Sequence, residues 1–292
     1  MGEKPAIFET ERPVLMALCY RMLGERAAAE DAVQEAWLRF DGADIATIES
    51  PPAWLRRVAT RIAINQLKSA RARRETYVGP WLPEPLIEGE GEDAGAEADY
   101  ALAQECELAL LWAMERLEDS ERAAFILREA FDASYAEIAE TLGKTEAACR
   151  QIVSRAHKRV QQSGPRFDVP EGEAQALIAR FFMAAGAGDF ETARRMMAPD
   201  AVAISDGGAK ARAARRVLRG PEEICQVFAA IMAKDKAIPD VTLRRVRANG
   251  APALARYIAG RLDTLVTMAA DGDGRIAWVY LMRNPDKLIR AA

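Results

Sequence analysis

Histidine is almost missing from this chain. His157 stands alone among 292 residues, which leaves little for zinc binding or imidazole catalysis. Cysteine is scarce too. Cys19, Cys106, Cys149 and Cys225 are far apart and form no CxxC pair, so they read as small core residues rather than disulfides or metal ligands. No run approaches the roughly 20 apolar residues of a membrane span. The start, MGEKPAIFETERP, has no basic segment followed by an apolar one. A cytoplasmic protein with no metal, no cofactor and no membrane partner is expected. The length suits about two or three domains and buries enough core to need no covalent staple.

An excess of positive charge is lacking as well: 40 Lys and Arg face 44 Asp and Glu, a net charge of −4. The average hides a segregation along the chain. Residues 1–49 hold ten acids and five bases, residues 50–75 hold seven bases against Glu75 alone, and residues 76–125 hold thirteen acids against Arg116 and Arg122. Positive potential is thus confined to a few elements, as expected if only those elements meet phosphate.

One such element closes the stretch Ser134 to Val160. Ser134 with Glu137 forms a capping box, Gly143 supplies a left-handed stop, and Thr145 caps a second helix. On that helix Cys149, Val153, Ala156 and Val160 share one face. Arg150, Gln151, Ser154, Arg155 and Lys158 point elsewhere, with side chains suited to base edges and phosphates. The pattern fits a DNA-reading helix-turn-helix and also a surface hairpin with a solvated basic face. Upstream, Val14–Phe40 reads as two packed helices. After Pro51 and Pro52 a basic amphipathic helix begins at Ala53 or Trp54, with Leu55, Val58, Ala59, Ile62 and Leu67 as its apolar stripe. Residues 76–99 are rich in Gly, Pro and acid and read as a linker headed by WLPEP. Two more helices fit between Tyr100 and Phe131. A separate domain begins near Pro170. Helices are expected at 174–187, 189–197 and 221–233, a strand at 201–205, and alternating strands at 241–249, 251–260, 263–271 and 275–284.

The order of helix pair, basic helix, acidic linker and helix-turn-helix resembles the extracytoplasmic-function sigma factors of bacterial RNA polymerase over residues 5–162. AEDAVQEAWLRF (29–40) looks like the helix that grips the polymerase. SPPAWLRRVATRIAINQLKSARARR (50–74) looks like the helix that meets the minus-ten element, and residues 117–160 look like the region that reads the minus-thirty-five element. The resemblance implies that Trp54, Arg57, Arg61, Asn65 and Lys68 hold single-stranded promoter DNA. It places Arg150, Gln151, Ser154, Arg155 and Lys158 in a major groove. Asp31, Gln34, Glu35, Trp37 and Leu38 then face core polymerase, through its beta and beta-prime subunits. His157 is a phosphate neighbour or a bystander.

WLPEP (Trp81, Leu82, Pro83, Glu84, Pro85), DGGAK (Asp206, Gly207, Gly208, Ala209, Lys210) and NPDKL (Asn284, Pro285, Asp286, Lys287, Leu288) narrow the resemblance to sigma factors with a fused SnoaL-like C-terminal domain. Ala209 stands where the motif carries a third glycine, which puts in doubt any role needing a positive φ there. The implied fold is multidomain. All-α sigma region 2 (1–75) and region 4 (106–163), joined by an acidic linker (76–105), precede an α+β NTF2-like cone (171–292). The implied function is promoter-directed initiation by RNA polymerase, with no catalytic residue of its own and with the C-terminal domain regulating through the three motifs. A polymerase-independent DNA-binding regulator is one alternative. A small-molecule sensor or enzyme is another, with a cavity lined by Phe182, Trp278 and Tyr280; the sequence names no ligand.

Overall fold

In the computed structural model, residues 2–88, 103, 106–163, 171–235 and 238–288 are described. They fall into two compact units, one drawn from Met1–Thr76, Glu92–Cys106 and Leu110–Ser163, the other from Tyr77–Gly91, Glu107–Ala109 and Gly164–Ala292. The helices of the first half are α1 (Glu3–Leu23), α2 (Arg26–Gly42), α3 (Pro51–Glu75), α4 (Leu108–Met114), α5 (Asp119–Phe131), α6 (Tyr135–Leu142) and α7 (Glu146–Ser163). The acidic stretch 89–102 lies outside the described residues, as do 104 and 105.

Two helix starts differ from the sequence expectation. Helix α1 begins at Glu3 and runs through Pro13. The one backbone hydrogen bond that proline forgoes is outweighed by burial on the flanking turns, with Phe8 against Trp37 at 4.9 Å and Leu15, Met16 and Leu18 almost fully buried. Helix α3 begins at Pro51 rather than Ala53, because proline fits the first helical turn, where its missing N–H has no partner to lose. Along α3, Leu55, Ala59, Ile62, Ala63 and Leu67 are buried, and Val58 is half-buried. The turn chemistry is as read. Ser134 Oγ accepts from Glu137 N at 3.2 Å, Glu137 Oε2 accepts from Ser134 N at 2.7 Å, Gly143 has φ 64°, and Thr145 Oγ1 accepts from Ala148 N at 3.2 Å. All four cysteines are buried free thiols, and burial pushes Cys19 up to about 12.

Arginines bind the helical unit together by ending helices. Arg122, fully buried on α5, donates from Nε (3.0 Å) and an Nη (2.8 Å) to the Arg21 carbonyl in the last turn of α1, and also pairs with Glu115. Arg74 on α3 donates to the Leu23 carbonyl at 2.7 Å and shares Glu115. These carbonyls have no intrahelical partner, and cations are favoured at a helix C-terminus.

In the second unit, α8 (Glu171–Ala187), α9 (Phe190–Arg195) and α10 (Pro221–Asp235) accompany a six-stranded sheet of order β2-β1-β6-β5-β4-β3. Its strands are β1 (Met197–Asp206), β2 (Leu218–Arg219), β3 (Val241–Ala248), β4 (Ala251–Ile258), β5 (Arg261–Ala270) and β6 (Ile276–Met282), and a short α11 (Pro285–Leu288) follows. Strands β1 and β6 are parallel and the other pairs antiparallel. Asn249 (φ 52°) and Gly250 (φ 73°) make the tight turn between β3 and β4. One sheet face, with Val266, Met268, Val279 and Leu281, packs on Phe181, Ile224 and Phe228 of the helices. The opposite face is covered in part by the segment 81–87, over β5 and β6, while β3 stays largely exposed. Leu82 and Pro83 adjoin Leu265, Thr267, Tyr280 and Met282, leaving a cavity of about 10 Å³, roughly the room of one water. Five consecutive residues of β5, Thr264–Met268, are therefore buried without alternation.

Replacing Arg122 with alanine leaves Glu115 and the end of α1 buried without their cation. We expect a loss of about 3–5 kcal/mol in chemical unfolding of the full-length chain, against less than about 1 kcal/mol for Arg39→Ala, which removes an exposed pair with Glu35.

Candidate nucleic-acid interface and the buried aspartate cluster

The five residues expected to read duplex DNA lie together. Arg150, Gln151, Ser154, Arg155 and Lys158 are all exposed on α7, while Cys149, Ile152, Val153, Ala156 and Val160 are buried beneath them. Arg150 is oriented by an ion pair to Glu146 at 2.8 Å and by stacking on the Tyr135 ring at 4.9 Å. Arg155 lies 3.6 Å from Glu121, which also takes Arg159 at 2.6 Å. His157 pairs with Glu129 at 2.9 Å and meets the Phe125 ring edge-on, so it serves packing within the helical unit.

Trp54, Arg57, Arg61, Asn65 and Lys68 follow one another at intervals of three and four along one face of α3, but that face is divided. Trp54 is half-buried with its ring 5.7 Å from Phe40. Arg57 is ion-paired with Glu140, and Arg61 donates to the Thr141 carbonyl (3.0 Å) and the Glu140 carbonyl (2.8 Å), ending α6. Asn65 and Lys68 are exposed. The arginines of this helix are thus largely occupied within the unit: Arg56 also holds Glu11 at 3.0 Å, and Arg71 holds Asp119 at 3.0 Å. On α2, Asp31 and Gln34 are exposed and Glu35 pairs with Arg39. Trp37 is half-buried against Phe8, and Leu38 is 62% exposed, an apolar side chain left in water.

The three short motifs converge on one carboxylate. Asp206, at the end of β1, is fully buried. Oδ1 accepts from the Tyr77 hydroxyl and from Gly208 N at 3.0 Å; Oδ2 accepts from Leu82 N at 2.9 Å and from Lys287 Nζ at 2.7 Å. Four donors satisfy the roughly four acceptor positions of an ionised carboxylate. The Lys287 ammonium also donates to the Leu82 carbonyl at 2.5 Å and sits 4.2 Å from the Trp81 ring centre. The acid and the base therefore grip the Leu82 residue from both sides, one at its N–H and the other at its C=O. Asn284 donates to the Tyr77 hydroxyl at 2.7 Å, and Lys210 pairs with Asp286 at the surface at 2.5 Å. Leu82, Pro83, Glu84, Pro85 and Leu288 are buried in the same unit. The cation nearest to Asp206 along the DGGAK motif is Lys210, but the one that meets it is Lys287, because a strand end at the sheet face points Asp206 into the core.

The substitution in DGGAK is harmless to this geometry. Gly208 takes the positive φ, 54°, and a Cβ there would lie 2.9 Å from Asn284 Nδ2. Gly207 is needed for space, with a Cβ only 2.3 Å from the Ala211 carbonyl oxygen. Ala209 is not among the residues of positive φ.

Sequence reasoning missed Tyr77 and a second anchor further on. Leu86 N donates to Asn249 Oδ1 at 2.9 Å, Asn249 N to the Leu86 carbonyl at 2.9 Å, and Glu88 pairs with Arg247 at 3.0 Å. The Asn-Gly turn signal was visible, but not that its asparagine would also hold a distant segment of the chain.

The chain matches the family models for Sigma-70 region 2 at residues 7–73, Sigma-70, region 4 at residues 107–160, and the SnoaL-like domain at residues 178–291. It is 36% identical over 290 residues to the ECF RNA polymerase sigma factor SigJ of Mycobacterium tuberculosis, covering 96% of this chain and 91% of that protein. It is 28% identical to the probable ECF RNA polymerase sigma factor SigI of the same organism, covering 97% and 94%. The crystal structure of the Mycobacterium tuberculosis extracytoplasmic function sigma factor SigJ superposes with a TM-score of 0.74 at 32% identity, covering 98% of both chains. Among the described residues no helix is long and apolar enough to cross a membrane.

The two motif positions give opposite expectations. Gly208→Ala should destabilise the C-terminal unit by about 2 kcal/mol or more, from a left-handed backbone plus a clash. Ala209→Gly, which restores the motif, should cost about 0.4–1 kcal/mol by loosening the unfolded chain. Urea unfolding followed by tryptophan fluorescence checks both.

Proposed function

Because this chain belongs to the extracytoplasmic-function RNA polymerase sigma factors and directs the polymerase to promoters, we propose that its C-terminal unit modulates initiation by holding the connection between the two promoter-reading regions. The carrying observation is the double grip of Asp206 and Lys287 on Leu82. Holding residues 77–88 removes up to about 40 Å of extended reach from the connection between α3 and α4. The clamp restrains; its release lengthens the tether and raises transcription.

Sigma factors bind core polymerase and promoter DNA. In our reading, the exposed face of α2, Asp31, Gln34 and Leu38 with Glu35 and Trp37 beside them, takes the beta and beta-prime subunits. Helix α7 reads the distal element through Arg150, Gln151, Ser154, Arg155 and Lys158. Helix α3 holds the melted proximal element through Trp54, Arg57, Arg61, Asn65 and Lys68, and Arg57 and Arg61 exchange the α6 oxygens for phosphates when DNA arrives. The C-terminal unit is not an enzyme in this reading: its buried Asp206 has every acceptor position engaged, which does not suit a base that must meet substrate.

The modulating role is tested with Lys287→Ala and Asp206→Asn in the full-length chain, by run-off transcription with core polymerase at matched holoenzyme occupancy. Several-fold more transcript is expected; unchanged output together with unchanged core affinity sinks the proposal. The distal reader is tested with Arg150→Ala, which should cost about 1–3 kcal/mol of holoenzyme affinity. That loss should vanish on a template whose distal element is scrambled. An equal loss on both templates would remove Arg150 from base readout.

A further inference from the structure

Between Asp206 and Glu222 the chain carries Lys210, Arg212, Arg215, Arg216 and Arg219 and no carboxylate, in a protein whose net charge is −4. All five cations are exposed. Asp286 takes Lys210 and Glu223 takes Arg216; Arg212, Arg215 and Arg219 have no side-chain partner among the described residues. The segment is nonetheless held in place. Ala211 N donates to the Gly207 carbonyl at 2.9 Å, the Arg212 carbonyl accepts from Arg283 at 2.6 Å, and Ala214 N donates to Ser205 Oγ at 2.8 Å. Ala211, Ala213 and Ala214 are half-buried, so small side chains face inward while charged ones face water.

We propose that this strap is a third promoter contact, binding the phosphates of duplex DNA without reading bases. Four of its five cations are arginines, whose planar forks match phosphate oxygens. Its backbone is already ordered, so binding spends little entropy on the loop itself. From Ala209 to Arg219 the other side chains are alanine, valine and leucine, so the cations are the only polar side chains that the strap offers a partner. No aromatic side chain accompanies them there. Phosphate is the partner that such a cluster of exposed cations fits best. The inference rests on the chain working at promoters, and it is independent of the clamp on Leu82.

The test uses the full-length chain assembled with core polymerase and titrates salt against binding to a duplex promoter fragment. The triple variant Arg212→Gln, Arg215→Gln, Arg219→Gln should flatten the dependence of log affinity on log salt by about 0.9 per lost phosphate contact, hence by about 2–3 in all. Its loss of affinity should be the same on the promoter and on a scrambled duplex. Replacement of the same three arginines by lysine should keep most of the slope. An unchanged slope overturns the proposal, and so does a loss confined to the promoter sequence. Weaker binding to core polymerase with the DNA slope intact overturns it too, by assigning the strap to a protein surface. Promoter-specific transcription by the wild-type holoenzyme, run alongside, reports on the sigma assignment separately.

Discussion

A carboxylate removed from water must recover its lost hydration from protein donors, and Asp206 does so from four directions. The donors come from three parts of the chain: Tyr77 and Leu82 from the segment after α3, Gly208 from the turn after β1, Lys287 from the last short helix. Burying the charge without such donors would be costly. That requirement places residues 77–83 on the C-terminal unit although they follow directly on a helix of the first. With Leu82 fixed, Pro83 and the residues after it cover part of the second sheet face, and the Leu86–Asn249 bonds continue the attachment.

The helical unit solves its own polar problem in a related way, with the signs reversed. The last carbonyls of α1 and α6 lack intrahelical donors, and arginines from elsewhere supply them: Arg122 and Arg74 at α1, Arg61 at α6. Arginine suits this because its charge is permanent and its donors are fixed in a plane. A basic stripe can therefore end a helix as well as it could face phosphate. The acids Glu115, Glu121 and Glu140 hold arginines of the same unit.

Much of this was legible in advance, where the signal is local. The capping box at Ser134 and Glu137, the left-handed Gly143 and the Thr145 cap depend on residues three or four apart, and each is present as read. Strands β3 to β6 followed from alternation and from Asn-Gly and Asp-Gly turns, whereas β1 is longer than the 201–205 expected. The two-residue β2 was not seen, because a strand that short carries no period. The start of α1 was missed because Pro13 signals a boundary locally, whereas the burial that overrides it comes from Trp37 on another helix. The fates of Arg57 and Arg61 were equally invisible: a basic stripe on an amphipathic helix has the same sequence whether it faces water, phosphate or a carbonyl.

The three motifs draw that line most clearly. Their residue types are read directly from the chain, and with them a family, a promoter-directed function and a C-terminal α+β fold. Helical and strand periods, caps and turns are properties of neighbouring residues, so the sequence by itself determined the elements and their order. Which cation meets Asp206 was decided by the sheet. The pairing of β1 beside β6 brings the strand end at Asp206 next to α11, so that Lys287, 81 residues away along the chain, is nearer than Lys210, four residues away. A buried charge takes the donors that packing presents to it, and only the tertiary structure decides which those are.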